Sequence, residues 1–503
     1  MNDFDFSSPS RQSVKGILVL FAFNTYKFVK KSITLLLVFA YSLLQKGSVF
    51  GFSKNRIILL FVGVILLMLV KAILKYLNFT FYISKDDFHL STGILKKENI
   101  LIPKSKIQNI YIKQNIFQQL INVVQVNIET AGDNSTEISI AALQRSKALQ
   151  LKEILFLNTE KEEVKTGEAK EEVNIEDNVF YKASIKKLLL EGISQNHLQS
   201  FFIILAFIGG VYTNFKDFVK QLDWQNYFGK WLQMDESSFL KMLLFNSLII
   251  IVLVITTFLV SLMKTVIVNY NLKVIDNNKS IEITKGLLNK VSLNLTSSRI
   301  QNIQITTNKV KQYLGLYTMN FKQAMVTKKE QKHFTIIGLG KEQIDYLVQR
   351  LYNTFNKDLQ QYKPEWYYKR VLILKSFPVL VIINILAFSF FEVYFWLVNL
   401  LFIPYLIIAI QSRYNKAFYT IDENYLSIGS GGVLSSSIEL LEIHKIQTVS
   451  VLQSVFQKRR HIASVKIATS SKTITIPFVK EHQAKTIANY LLYKVESQRL
   501  DWM

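Results

Sequence analysis

One pattern recurs three times along this chain in a fixed register, and that repetition limits the fold more than any other feature. Gly93-Ile94-Leu95, Gly286-Leu287-Leu288 and Gly432-Val433-Leu434 each precede a glutamine, Gln108, Gln301 and Gln447, by the same distance. Around those glutamines the chain reads SKIQNIYIKQNIFQQLINV, SRIQNIQITTNKVKQYLGL and HKIQTVSVLQSVFQKRRHI. From Lys106, Arg299 and Lys445 the copies align without a gap as far as Ala131, Ala324 and Ser470. A register held this long means one supersecondary unit used three times.

Each copy reads as β structure closed by a helix. Openings such as FYISKDDFHLSTGIL and FYTIDENYLSIGSGGVL are apolar strands broken by Asp, Asn and Gly turns. In the motif, Ile107, Ile110 and Ile112 alternate imperfectly with Gln108, Asn109 and Tyr111, and Ile300, Ile303 and Ile305 repeat the offset. An extra residue between the first two isoleucines predicts a bulge at the Gln-Asn pair. Ala148, Leu151 and Leu155 share one helical face, as do Ile344, Leu347, Val348, Leu351 and Phe355, and again Ile487, Leu491, Leu492 and Val495. Such a helix covers the open end of a small sheet or barrel.

Between the copies lie long apolar runs. The 503 residues are 50% hydrophobic and only 19% charged, yet carry a formal net charge of +23. That combination points to a membrane protein with lysine-rich cytoplasmic parts rather than to nucleic-acid binding, because the charge is spread along the chain beside apolar runs. Six stretches stand out, from Ser32, from Ile57 to Leu77, from Leu198 to Phe215, from Phe239 to Met263, from Val371 to Phe391 and from Val393 to Ile410. They form three hairpins. Basic flanks at Lys27, Lys30, Lys31, Lys71, Lys75, Lys369, Arg370, Arg413 and Lys416 put both termini and all three copies on the cytoplasmic side of the membrane. The polar start of the chain gives no expectation of a cleaved signal.

Little of the chain resembles reaction chemistry. With no cysteine, thiolate ligands and nucleophiles are excluded. His89, His197, His333, His444, His461 and His482 lack metal-ligand spacing, and no catalytic residue, metal site or cofactor is expected. The candidate binding residues are those of the repeat, Lys106, Gln108, Asn109, Arg299, Gln301, Asn302, Lys445 and Gln447, with the basic groups that follow, Lys309, Lys311, Lys458, Arg459 and Arg460. Held near an anionic leaflet, each exposed cation contributes about 1 kcal/mol. Asn246, Asn384 and Asn399 lie within spans, where they serve interhelical hydrogen bonds or line a pathway.

Apolar helix pairs, a Gly-Ile-Leu turn and a Lys/Arg-Ile-Gln-Asn strand, three times over, resemble the bacterial pleckstrin-homology-like (PH-like) membrane proteins of the YdbT type. The resemblance extends through FYKASIKKLLLEGISQNHLQS, which leads into the third apolar stretch. It implies a bent antiparallel β barrel with a C-terminal helix in each copy, and the third copy departs from the motif at Thr448. The expected fold class is a membrane protein with six transmembrane helices in three pairs, each pair followed by an α+β or all-β PH-like domain. The expected organisation is an N-terminal segment (1–31), hairpin 1 (32–77), PH-like domain 1 (78–158), an acidic linker and pre-membrane helix (159–197), hairpin 2 (198–263), domain 2 (264–357), a linker (358–370), hairpin 3 (371–410) and domain 3 (411–503). A non-enzymatic assembly scaffold that touches anionic headgroups is the leading expectation. Its alternative is a transporter or export component for lipid or peptide using the six-helix bundle. Expected partners are membrane lipids, a smaller PH-like membrane protein and further copies of the chain, not nucleic acid.

Overall fold

A computed structural model describes the chain except for residues 1–4, 47, 50–51, 131–136, 158–178, 198–199, 211–238, 278–279, 325–327, 357–358 and 498–503. The acidic linker, the end of the third apolar stretch and the loop of the second hairpin therefore lie outside the described residues, as do the side chains of Gln108 and Asn246. The chain divides into two units, Met1–Phe180 with Val274–Leu295, and Tyr181–Lys273 with Thr296–Met503.

In the first unit, helices α1 (Gly16–Lys46) and α2 (Lys54–Leu77) precede the first copy. Its opening strands β2 (Thr80–Ser84), β3 (Asp87–Thr92) and β4 (Glu98–Pro103) join the short β1 (Ser10–Arg11) in a sheet ordered β1-β2-β3-β4. The chain then turns through Lys104–Lys106 into the motif strand β5 (Ile107–Gln114), followed by β6 (Val124–Thr130), β7 (Glu137–Leu143) and helix α3 (Arg145–Leu157). Phe81, Phe88, Leu90, Ile107, Ile110, Ile112, Ile128, Ile140, Leu151 and Leu155 fill a core between the two sheets and α3.

The second copy begins in this same unit, with β8 (Lys273–Asp276), β9 (Ser280–Lys285) and β10 (Lys290–Thr296). Instead of folding back on its own motif strand, β10 pairs antiparallel with β5 of the first copy, with Lys290 opposite Gln114 and Leu293 opposite Tyr111. One sheet thus contains the order β8-β9-β10-β5-β6-β7. Gly93 and Gly286 hold φ of +116° and +110°. A Cβ at either would sit 1.9 or 2.0 Å from the carbonyl oxygen of Lys96 or Asn289. In the first two copies the glycine is thereby a requirement of the turn before the third strand, whereas a Cβ at Gly432 of the third copy would meet nothing closer than 3.4 Å.

The second unit repeats the device. Helix α4 (Ile185–Ile193) leads to α5 (Phe239–Asn269). The motif strand of the second copy, β11 (Ile300–Asn308), pairs with β12 (Tyr317–Gln323), which pairs with β13 (Thr335–Leu339) before helix α6 (Lys341–Leu351). After α7 (Tyr367–Phe391) and α8 (Val398–Lys416), the third copy opens with β14 (Phe418–Ile421), β15 (Tyr425–Gly431) and β16 (Ser435–Glu442). Here β16 lies against β11, from Asn302 opposite Leu441 to Asn308 opposite Ser435, in a sheet ordered β13-β12-β11-β16-β15-β14. The last three strands, β17 (Thr448–Leu452), β18 (Ile462–Ala468) and β19 (Thr473–Lys480), form their own sheet, and α9 (Glu481–Ser497) follows. Tyr419, Leu426, Ile428, Leu441, Val465, Ile467, Ile476, Ala484 and Leu491 make the core of the third copy.

The expected closed barrel per copy is not what forms. The described strands make open antiparallel sheets, because the third strand of one copy pairs with the motif strand of the copy before it. The expected bulge is present, with pairing shifted between Ile107 and Asn109 and between Ile300 and Asn302. Among the described residues four helices are long and apolar enough to cross a membrane, at Ile58–Leu77, Ser247–Asn269, Tyr367–Ser389 and Tyr394–Lys416, and a shorter apolar helix spans Ser200–Gly210. Pro378 lies inside α7 and Pro404 inside α8.

Candidate functional site

The repeated motif builds the strand at which successive copies join. In both junctions the register is the same. Val291 stands to Gly286 as Ser437 stands to Gly432, and their partners Lys113 and Thr306 stand alike to Gln108 and Gln301. A one-residue slip would turn every side chain to the other face, so a shared register is a shared specification.

The polar residues of the motif are held inside these junction strands. Asn109 is buried and donates from Nδ2 to Glu129 Oε2 at 3.2 Å, and the buried Tyr111 hydroxyl also donates to that oxygen. Gln301 and Asn302 are fully buried, and Asn302 Oδ1 accepts from Thr469 Oγ1 at 3.2 Å. Lys445 is buried, donates to the Ile300 carbonyl at 2.7 Å and pairs with Glu442 at 2.5 Å. It therefore ties the third copy to the first residue of β11. Lys106 is exposed, Arg299 is half-buried, and Gln447 is exposed beside the open strand β17.

The basic groups downstream separate into two kinds. Each motif strand runs into a one-turn helix whose cap is Asn115, Asn308 or Ser454, accepting from the backbone N–H of Gln118, Lys311 or Gln457. Gln118 and Gln457 turn inward, donating to the Ala141 carbonyl and to Ser464 Oγ. Lys311 occupies the same buried position and forms an ion pair with Glu191 of α4, with Thr318 Oγ1 also accepting from it at 3.0 Å. It locks the pre-membrane helix to the sheet and is spent there. Burial, with Glu191 nearby, also raises the pKa of the Tyr181 hydroxyl, which donates to the carbonyls of Ile337 and Gly338. Lys309, Lys458, Arg459 and Arg460 are exposed.

Sequence periodicity did not single out Glu191. The signal that could have found it is the substitution of Lys for Gln at the third residue of a repeated cap, since a buried lysine needs an acid.

Cations and aromatic rings gather where α7 begins and α8 ends. Arg460 lies 4.3 Å over the Tyr367 ring, Arg370 4.5 Å over Trp366, and Lys369 4.4 Å over Tyr414. Beside them an open groove of about 1190 Å³ is lined by Tyr368, Lys375, Arg413, Lys472, Leu452 and Phe456 among others. Rings and basic groups at the ends of apolar helices suit the level of lipid headgroups. Within the helices, Asn384 and Asn399 donate to each other's amide oxygens at 3.0 and 2.7 Å, which joins α7 to α8. Among the described residues no group of three or more His, Asp or Glu is placed to hold a metal ion.

The sequence is similar to that of the UPF0699 transmembrane protein YdbT of Bacillus subtilis (strain 168), with 23% identity over 451 residues, 86% of this chain and 89% of that protein. Neither that name nor the family description below is that of an enzyme. The bacterial PH domain pattern matches residues 32–158, 203–354 and 371–495. One copy of the Gln108, Gln301 and Gln447 motif falls in each matched block, and the chain belongs to the bacterial PH domain family of membrane proteins.

Proposed function

We propose that the protein is a non-enzymatic assembly scaffold of the bacterial cytoplasmic membrane, built from three PH-like domains on three helix pairs with its soluble parts and termini in the cytoplasm. The observation that carries this reading is the repeated junction. Twice, the third strand of one copy adds to the motif strand of another in one register. Strand addition of this kind is a general mode of protein recognition, with backbone hydrogen bonds giving affinity and side-chain pockets giving selectivity. A chain that uses it twice internally is equipped to use it with partners.

Contact with anionic headgroups is the second part of the proposal, supported by Arg370, Lys369 and Arg460 against rings at the start of α7 and the end of α8. A transport reading finds less support, because the amides of Asn384 and Asn399 are used on each other.

The test is the native mass of the full-length protein extracted from membranes in mild detergent. An assembly heavier than one chain is expected. A lone chain at every concentration, with no retained partner, would overturn the scaffold reading. For the headgroup contact, Trp366 fluorescence, read in nanodiscs from a chain whose other four tryptophans are replaced by phenylalanine, should be quenched more by brominated anionic lipid than by brominated neutral lipid, and equal quenching would remove that part.

A further inference from the structure

Two junctions consume two third strands and two motif strands, and one of each is left over. The sheet β1-β2-β3-β4 ends in β4, and the sheet of β17, β18 and β19 ends in β17; among the described residues neither outer edge is paired. These are the same two halves that meet in β10 with β5 and in β16 with β11. We propose that β4 of one chain pairs with β17 of a second copy of this chain, in the register of the internal junctions. This deepens the scaffold reading above and rests on it.

Transferring that register places Glu98 opposite Leu452, Asn99 opposite Val451, Ile100 opposite Ser450 and Leu101 opposite Val449. The leftover halves carry the features such a contact uses. Leu101 on β4 is exposed, whereas Leu440, its counterpart in the second junction, is buried. Val451 and Leu452 on β17 are exposed too. Leu95, at the turn before β4, is fully exposed at 102%. At the internal junctions the corresponding turns are capped by the neighbouring copy. The carbonyls of Leu287 and Leu288 accept from Gln119 Nε2, and the Leu434 carbonyl accepts from the Lys309 N–H. The matching one-turn helix beyond β17 exposes Val455 and Phe456 at 70% and 69%, more than their counterparts Ile116 and Phe117 beyond β5 at 44% and 59%.

A third correspondence is polar. Lys445, just past β16, donates to the Ile300 carbonyl at the start of β11. Lys106 holds that position past β4 and is exposed, and Ile446 holds the position of Ile300 before β17. The Lys106 ammonium is thus the group that would reach the Ile446 carbonyl of the second chain. The contact joins unlike surfaces, so it propagates from chain to chain until a ring closes.

The chain has no cysteine, so introduced thiols report alone. Full-length Asn99→Cys and Val451→Cys chains carrying different tags are co-expressed, oxidised in the membrane and separated without reductant. The expected result is a disulfide-linked dimer carrying both tags, lost when Leu452→Cys replaces Val451→Cys, because that slip points the thiol to the other face. Lys106→Glu and Val451→Lys, both at exposed positions, should each shift the otherwise unaltered assembly toward single chains in native mass. Three results would overturn the proposal. The first is an assembly that persists without the mixed-tag dimer, which leaves the scaffold reading standing on another surface. The second is a disulfide that forms only within one doubly substituted chain. The third is capture of a different protein by the thiol of the Val451→Cys chain. A lone chain with no crosslink and no retained partner would remove both this inference and the scaffold reading.

Discussion

The motif strands β11 and β17 are built from the same repeat, yet among the described residues only β11 has a neighbour on each side. In β11, flanked by β12 and β16, Ile300, Gln301, Asn302 and Ile303 are all buried. In β17, paired among the described residues with β18, the counterpart Ile446 just before the strand is buried as Ile300 is, but Gln447 and Thr448 are exposed and Val449 is half-buried. The difference teaches that the motif's isoleucine is buried by its own copy, whereas burial of the polar pair that follows it goes with the next copy. An uncovered strand edge presents unpaired backbone donors and acceptors, and proteins cover, shorten or charge such edges unless they use them. Here the uncovered edge keeps valine and leucine.

The largest effect on this comparison is expected one turn beyond the strand. Lys311→Met alone leaves the buried Glu191 carboxylate without its cation and should cost about 3–5 kcal/mol in chemical denaturation. Adding Glu191→Leu should recover most of that loss. Failure of the double variant to recover would mean that the pair is not the tie between α4 and the sheet.

A pH effect comes next, in the first unit. Burial lowers the pKa of Lys285, at the end of β9, to about 7. The unfolded chain then binds more protons than the folded one between about pH 7 and the ordinary lysine value of about 10.4. Stability should rise with pH through that window by about 1.4 kcal/mol per unit at most, and be flat with respect to this group below it. Lys285→Met should remove the slope, read as Tm against pH; an unchanged slope would assign the titration elsewhere.

Asn302 and Thr448 occupy the same place in the repeat and sharpen the comparison directly. Asn302→Ala removes a buried bond to Thr469 and should cost about 1–3 kcal/mol. Thr448→Asn, which restores the motif on the exposed strand, should change stability by less than about 0.5 kcal/mol in dilute single chains. Equal effects at the two sites would erase the distinction between a covered and an uncovered motif strand.

Much of the fold is legible in the sequence, and the reasons show where legibility stops. Strand alternation reveals β5 and β11, and the displaced isoleucine reveals their bulges, because both are local consequences of side-chain direction. The faces of α3, α6 and α9 follow from spacing in the same way, with Leu151, Leu347 and Leu491 fully buried, although Leu492, expected on the α9 face, is exposed and Phe355 lies beyond the end of α6. Pairing partners are a different matter. Whether β10 returns to its own motif strand or crosses to that of the previous copy leaves the alternation of either strand unchanged, so a closed barrel and a shared sheet read alike. Charge has the same blind spot. Lys106 and Lys445 hold one position of the repeat, yet the first is exposed and the second is buried beside Glu442; Lys311 and Lys458 both follow the motif, yet the first is buried against Glu191 and the second stays in solvent.

Amide hydrogen exchange tests the central claim most directly, by comparing peptides that cover β11 with peptides that cover β17 in the same full-length chain. In dilute single chains β17 should exchange faster than β11, and on assembly its protection should rise toward that of β11. Equal protection of the two strands in the single chain would contradict the account.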